Sequence, residues 1–192
     1  MRKYVYLHEE HVWYQCDLNG DRPRRELPQE TRLVHAELPE LDALDRLGQS
    51  IDEALERLDG GNDVWMVLDG SEPLFSCCTF RRVAPVAAAS HGTLALPDGA
   101  ACLEDSITSA AARGRGIAPG AWTLICDELR EDGFTTLVTK IETDNAASRR
   151  AVEKVGFREI AVMDHRRLAM HSRTAVRPLG NGLGGELAER LT

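Results

Sequence analysis

The chain has 192 residues, 43% of them hydrophobic, enough to bury one substantial core and too few to need two. Its net charge of −8 argues against phosphate-backbone binding as the main task, because nucleic-acid binders carry an excess of basic charge. Cys16, Cys77, Cys78, Cys102 and Cys126 lack the paired spacing of a structural zinc site, and no run is apolar and long enough for a signal peptide or a membrane span. Buried reduced thiols, no metal and a cytoplasmic location are therefore the expectation.

In chain order, Tyr4–Leu7 and Val12–Leu18 read as one long strand or two short ones, the latter as a hairpin, before the polar turn Asn19-Gly20-Asp21-Arg22-Pro23. Leu41, Leu44, Leu47, Ile51, Leu55 and Leu58 predict one broken helix or two short ones, with Gly48 as the break and Ser50-Ile51-Asp52-Glu53 at capping-box spacing. Val64–Leu68 and Leu74–Phe80 predict two antiparallel strands joined around Asp69-Gly70. Cys77 and Cys78 are adjacent in such a strand, so their side chains should face opposite sides.

Arg113-Gly114-Arg115-Gly116-Ile117-Ala118 follows a strand-like run and opens a helix-like one. Two glycines let the backbone approach an anion closely, and the free amides of a helix start point at it with the positive end of the dipole. Ile117, Ala121, Leu124, Ile125 and Leu129 then recur at helical spacing, Pro119 falls in the first turn where its missing N–H costs nothing, and Gly133 stops the helix. Thr135–Glu142 predicts a strand. A second helix begins at Asp144 or Asn145, with Ala147, Ala151, Val152 and Val155 as its inner stripe and Gly156 as its left-handed cap. Phe157–Met163 predicts a further strand, and the glycine-rich end at 180–185 lacks a core-forming pattern. That end reads as a flexible tail, in which Leu183–Leu191 either frays or forms a short helix against a partner.

This order resembles the GNAT superfamily of acetyl-CoA-dependent N-acetyltransferases, and two separate places carry the likeness. Arg113-x-x-Gly116-x-Ala118 fits the family's Gln/Arg-x-x-Gly-x-Gly/Ala loop, whose amides hold the coenzyme A pyrophosphate. Asn145-x-x-Ser148, followed by Glu153-Lys154-Val155-Gly156-Phe157, is similar to the segment beside the pantetheine arm. Together these span about half the chain. The resemblance implies an α/β (α+β) fold with a central mixed, mostly antiparallel sheet flanked by helices, in one domain over 1–179 with 180–192 as the tail. It further implies coenzyme contacts from Thr108, Arg113, Gly114, Arg115, Gly116, Ile117, Ala118, Asn145 and Ser148.

Direct acetyl transfer to an amine needs a proton acceptor for the amine, donors for the developing oxyanion and a proton source for the thiolate. By the period of two, Cys102, Glu104, Ser106 and Thr108 share one face of the strand before the loop and Asp105 the other. In the family this strand splays from its neighbour beside the thioester, and a carboxylate on its substrate side often helps remove the amine proton. Glu104 is the base candidate; the alternatives are that it binds a cationic acceptor or faces solvent. Where many family members carry a tyrosine that protonates the thiolate, this chain has Val152. The acid is then Tyr4, Tyr6, Tyr14, another residue such as Ser148, or water. The resemblance implies a small-molecule or peptide amine as acceptor, with cationic amines weakly favoured by the acidic balance. Transfer of a longer acyl group and a non-catalytic coenzyme-binding module are the alternatives. Neither nucleic acid nor a membrane is expected as a partner, and exposed strand edges allow a homodimer by sheet extension.

Overall fold

The computed structural model describes residues 6–168, 171–180 and 182–192; Tyr4, with the expected start of the first strand, and Asn181 in the tail lie outside them. An eight-stranded sheet runs β10-β9-β1-β8-β7-β4-β3-β2. Its strands are β1 (Tyr6–Asp17), β2 (Thr31–His35), β3 (Asp63–Asp69), β4 (Glu72–Phe80), β7 (Ala100–Thr108), β8 (Thr136–Glu142), β9 (Arg158–Leu168) and β10 (His171–Pro178). A small hairpin of β5 (Val83–Pro85) and β6 (Thr93–Ala95) forms a separate two-stranded sheet. Among the described residues the one parallel pairing is β7 with β8; all others are antiparallel.

The first strand is a single element of 12 residues, not a hairpin, and it lies inside the sheet between β8 and β9. Its buried run Val12-Trp13-Tyr14 suits a position covered on both faces.

Helices cover both faces. On one, α3 (Ile117–Glu131) and α4 (Ala146–Glu153) bury Ile117, Ala121, Ile125, Leu129 and Val152 against Tyr14, Phe75, Cys77 and Leu103. On the other, α1 (Leu38–Leu41), a short 3-10 turn, α2 (Ile51–Asp59) and α5 (Gly184–Leu191) pack with the β5–β6 hairpin over Trp13, Met66, Cys78 and Cys102. Cys77 and Cys78 thus enter opposite cores, as alternation requires. The broken helix of 38–59 is observed with Gly48 left-handed at the break and the Ser50 hydroxyl accepting from the Glu53 amide at 3.3 Å. Of the stripe expected on α4, Val152 and Val155 are buried and Ala151 is partly buried, whereas Ala147 is exposed.

The end of the chain differs from the expected loose tail. Residues 184–191 form α5 with Leu187 and Leu191 buried, and a Cβ on Gly184 would collide with the Ile160 carbonyl oxygen. The glycine there permits a close approach of helix to strand.

Candidate active site

Two left-handed glycines build the loop between β7 and α3. Gly114 has φ +77° and Gly116 φ +81°, a region in which any Cβ is strained, and a Cβ at either position would meet nothing within 4 Å. The Arg115 amide is tied to the Ala112 carbonyl at 3.3 Å. The amides of Gly114, Gly116, Ile117 and Ala118 have no backbone acceptor among the described residues. Free donors at a helix start, with open space before them, form an anion cradle.

A cavity of about 990 Å³ opens over this cradle. Although the chain carries a net −8, four of the five charged residues lining the cavity are cationic: Arg25, Arg113, Arg150 and Lys154, against Glu26. Thr108, Asn145 and Ser148 line it too, as expected; Arg115 is not part of the lining. The Asn145 side chain caps α4 by accepting from the Ser148 amide at 3.1 Å, so capping and lining the cavity coincide. In the wall, Trp122 meets Phe75 edge-on at 6.3 Å, and its buried Nε1 has no partner among the described residues. A basic cavity with free amides at one place and an indole donor at another offers the donors that a phosphate-bearing ligand needs.

A strap from the amino half closes part of this cavity. The Arg25 amide donates to Thr123 Oγ1 at 3.1 Å, and Arg24 with Arg22 grips Asp127, so residues 22–27 run along α3. They cross it at Gly120, where a Cβ would stand 2.9 Å from the Glu26 carbonyl oxygen.

A second cavity, of about 1000 Å³, lies on the opposite face of the sheet beneath the segment 85–92. Glu104 and Asp105 line it, whereas Ser106, Ile107 and Thr108 line the first. The expectation that Cys102, Glu104, Ser106 and Thr108 share one face is therefore corrected. Asp105 is left-handed, with φ +55°, and the β4–β7 pairing jumps from Ser76↔Ile107 to Cys78↔Glu104. This bulge reverses the alternation. Arg57, 2.7 Å from the Asp105 carboxylate, and Gln49, donating to the Asp105 carbonyl at 3.0 Å, hold it. Pairing of β7 with β8 reaches only Leu103↔Thr139, so the strands part where the two cavities flank β7.

Glu104 stands at this fork, 9% exposed, ion-paired to Lys140 of β8 and accepting from Cys102 Sγ at 3.4 Å. Burial pushes its carboxyl above the usual range, against the pull of Lys140. Burial works the other way on Lys140, yet the Glu104 carboxylate holds its ammonium above the ordinary lysine range.

Of the candidate acids, Tyr4 lies outside the described residues and Tyr6 is 61% exposed at the start of β1. The Tyr14 hydroxyl donates to Glu159 at 3.1 Å, accepts from Arg149 at 2.9 Å and lines neither cavity. Val152 is enclosed in the core, and Ser148 alone of the named residues faces the first cavity. His8, Glu10 and Asp164 come close enough to hold an ion, but they sit in the open and Asp164 is already paired with His8 and Arg166.

Sequence reasoning missed Lys140, the strap, Trp122 and Arg150, and quoted Lys154 in a motif without giving it a contact. Arg150 and Lys154 were findable, since with Ala147 and Ala151 they form one i, i+3/i+4 row on α4. The strap has no periodicity that could have revealed it.

The sequence model of the family described as "Acetyltransferase (GNAT) domain" matches residues 30–158, about two thirds of the chain. The chain belongs to the GNAT acetyltransferase family. Solved structures of GNAT proteins share the fold. An acetyltransferase of this family from Colwellia psychrerythraea is 15% identical with a TM-score of 0.57, over 92% of this chain and 57% of that one. The GCN5-related N-acetyltransferase of Sphaerobacter thermophilus is 11% identical with a TM-score of 0.59, over 94% of this chain and 55% of that one. The ribosomal-protein-S18-alanine N-acetyltransferase of Escherichia coli is 13% identical with a TM-score of 0.52, over 79% and 96%. The chain thus spans little more than half the length of the first two GNAT structures. No curated protein matches it. Among the described residues of this GNAT chain, no helix is long and apolar enough to cross a membrane.

Proposed function

We propose that this chain is an acetyl-CoA-dependent N-acetyltransferase acting by direct attack of a primary amine. One observation carries the reading: a basic cavity with free helix-start amides and a second cavity around a buried carboxylate flank β7 at the point where it leaves β8. Bound at the first cavity, acetyl-CoA would supply the acyl thioester. Gly114, Gly116, Ile117 and Ala118 offer amides to its pyrophosphate, and Arg113, Arg150 and Lys154 add charge. Asn145 and Ser148 border the same space from α4.

The amine enters from the second cavity and meets Glu104. A carboxylate whose affinity for protons is raised by burial takes the amine's proton more readily than an exposed one, while Lys140 fixes its orientation. Ser148 or water returns a proton to the thiolate. Edge strands β2 and β10 leave room for a second copy to pair, which a sizing column tests.

Calorimetric titration of acetyl-CoA and CoA into the wild type and Gly116→Trp tests the cofactor site, because the indole would fill the cradle. Binding lost in the variant alone supports it. A folded wild type that binds neither refutes it, and tight binding without turnover of any amine favours a coenzyme-binding module instead.

A further inference from the structure

Among the described residues, two imidazole nitrogens at the acceptor-side cavity have no partner. His11 Nδ1 on β1 and His165 Nε2 on β9 are buried without a hydrogen bond, and both side chains line the cavity that contains Glu104. Folded proteins pair nearly all such groups with protein or with ordered water, so two on neighbouring strands in one cavity are met there by water or by a bound ligand that replaces it. The β1–β9 register sets Glu9 opposite His165 and His11 opposite Met163, which makes the two histidines diagonal neighbours with Glu9 beside them.

The surroundings of His165 fix what that occupant offers. Its Nδ1 lies 2.8 Å from Thr174 Oγ1 on β10, and the same hydroxyl lies 3.3 Å from the Ala88 carbonyl oxygen. A hydroxyl has one proton and a carbonyl can only accept. Thr174 therefore donates to Ala88 and accepts from Nδ1–H, and in the neutral ring this leaves the lone pair on Nε2. The partner of Nε2 must be a donor, and Glu9, a second acceptor lining the same cavity, makes the same demand. Three cations of the cavity are already matched: Lys140 to Glu104, Arg57 to Asp105 and Arg190 to Glu186. Arg167, also in the lining, is exposed.

We infer that the end of this cavity at His11 and His165 binds an amino or ammonium group, so that the acceptor is an elongated amine with a second nitrogen far from the one that is acetylated. Between His165 on β9 and Glu104 on β7 lie β1 and β8, three strand spacings or about 14 Å across the sheet, and the registers set the two about four residues, or about 13 Å, apart along the strands. A short monoamine cannot reach both, whereas a long diamine or polyamine can. The inference rests on the acetyl-transfer reading above for the role of Glu104.

A thiol-release assay with acetyl-CoA compares α,ω-diamines, from propane to dodecane length, with alkyl monoamines of the same lengths. At one length the diamine is expected to exceed its monoamine by roughly ten- to hundred-fold in kcat/KM, the worth of one hydrogen bond to a charged group. His165→Leu should abolish that preference and His165→Gln, which keeps an acceptor, should restore most of it. Thr174→Val, which frees the ring to change tautomer, should weaken it. Equal turnover of both series by the wild type overturns the inference and leaves the acetyltransferase reading standing. Imidazole nitrogen NMR of the full chain gives a readout without turnover. A proton on Nδ1 and a His165 response to the preferred diamine, but not to its monoamine, are expected. A proton on Nε2, or no response to any diamine, overturns the inference even if no amine is acetylated.

Discussion

Replacing Gly120 by alanine sets two effects of known size against each other. In a helix interior alanine is worth about 1 kcal/mol over glycine. At this position, however, the added Cβ would lie 2.9 Å from both the Glu26 carbonyl oxygen and Leu27 Cδ2, and 3.0 Å from the Glu26 carbonyl carbon. Two of these three atoms are backbone, so the strap itself must move, at a cost of about 1–3 kcal/mol for an overpacked site. The net expectation is a loss of up to about 2 kcal/mol, or a few degrees in Tm for a chain of this size. Moving the strap also displaces Arg25 from the cofactor cavity, which should weaken CoA binding about two- to fivefold, the worth of one partly exposed charge contact. Urea unfolding and calorimetric titration of CoA read both quantities on the same sample. A variant stabilised by about 1 kcal/mol with unchanged CoA affinity would refute the crossing of strap and helix.

Glu104→Gln should lower kcat/KM about a hundredfold or more. Because burial raises the Glu104 carboxyl above its usual 4.5, the acid limb of the wild-type pH profile should lie above that value and disappear in the variant. The same substitution strands the Lys140 ammonium, so Glu104→Gln/Lys140→Met should recover stability in urea without recovering activity. Asp105→Ala should cost about 1–2 kcal/mol more than Asp105→Asn, because asparagine tolerates the left-handed backbone at φ +55° while both lose the pair with Arg57; equal losses would mean the bulge is not strained. The Asp127 carboxyl is held below its usual 3.8 first by the hydrogen bond from Arg24, then by Arg22, against the cost of burial. Its folded-state affinity for protons is depressed, so the stabilisation is complete above 3.8 and is lost as pH falls below it. Asp127→Asn should flatten the acid side of the stability profile in that range, as followed by urea midpoints.

The parts legible in the sequence were those in which backbone conformation demands a residue type. Gly114 and Gly116 need their positive φ, Asn145 caps α4, and Ser50 caps α2. The alternation that placed Cys77 and Cys78 in opposite cores held because β4 is regular between them. The same rule failed three residues beyond Cys102, since a left-handed aspartate changes the face of a strand without changing its hydrophobic pattern. The strap was hidden for a different reason: it is polar, and pairs such as Arg24–Asp127 join residues far apart in the chain. Strand β10 carries no hydrophobic run that the sequence could show, because it is the sheet's outer edge and mostly exposed. The glycines before α5 looked like low complexity, yet Gly182 and Gly184 are small because Ile160 lies against them.

The place of β1 in the sheet bears on how the chain is made. Both of its neighbours, β8 and β9, come more than a hundred residues later. During translation, at about 5–20 residues per second, this strand leaves the ribosome and waits on the order of ten seconds before either partner exists. Throughout that interval its Val12-Trp13-Tyr14 run is bare, with both edges open to pairing with another nascent chain. Closing the sheet inserts β1 between two strands made more than a hundred residues after it, a loop closure of high contact order that should make refolding slow and prone to aggregation at high concentration. Glu9 and His11, carried on that strand, reach the cavity only when this insertion is complete, so the cavity that holds Glu104 cannot form before β8 and β9 are made.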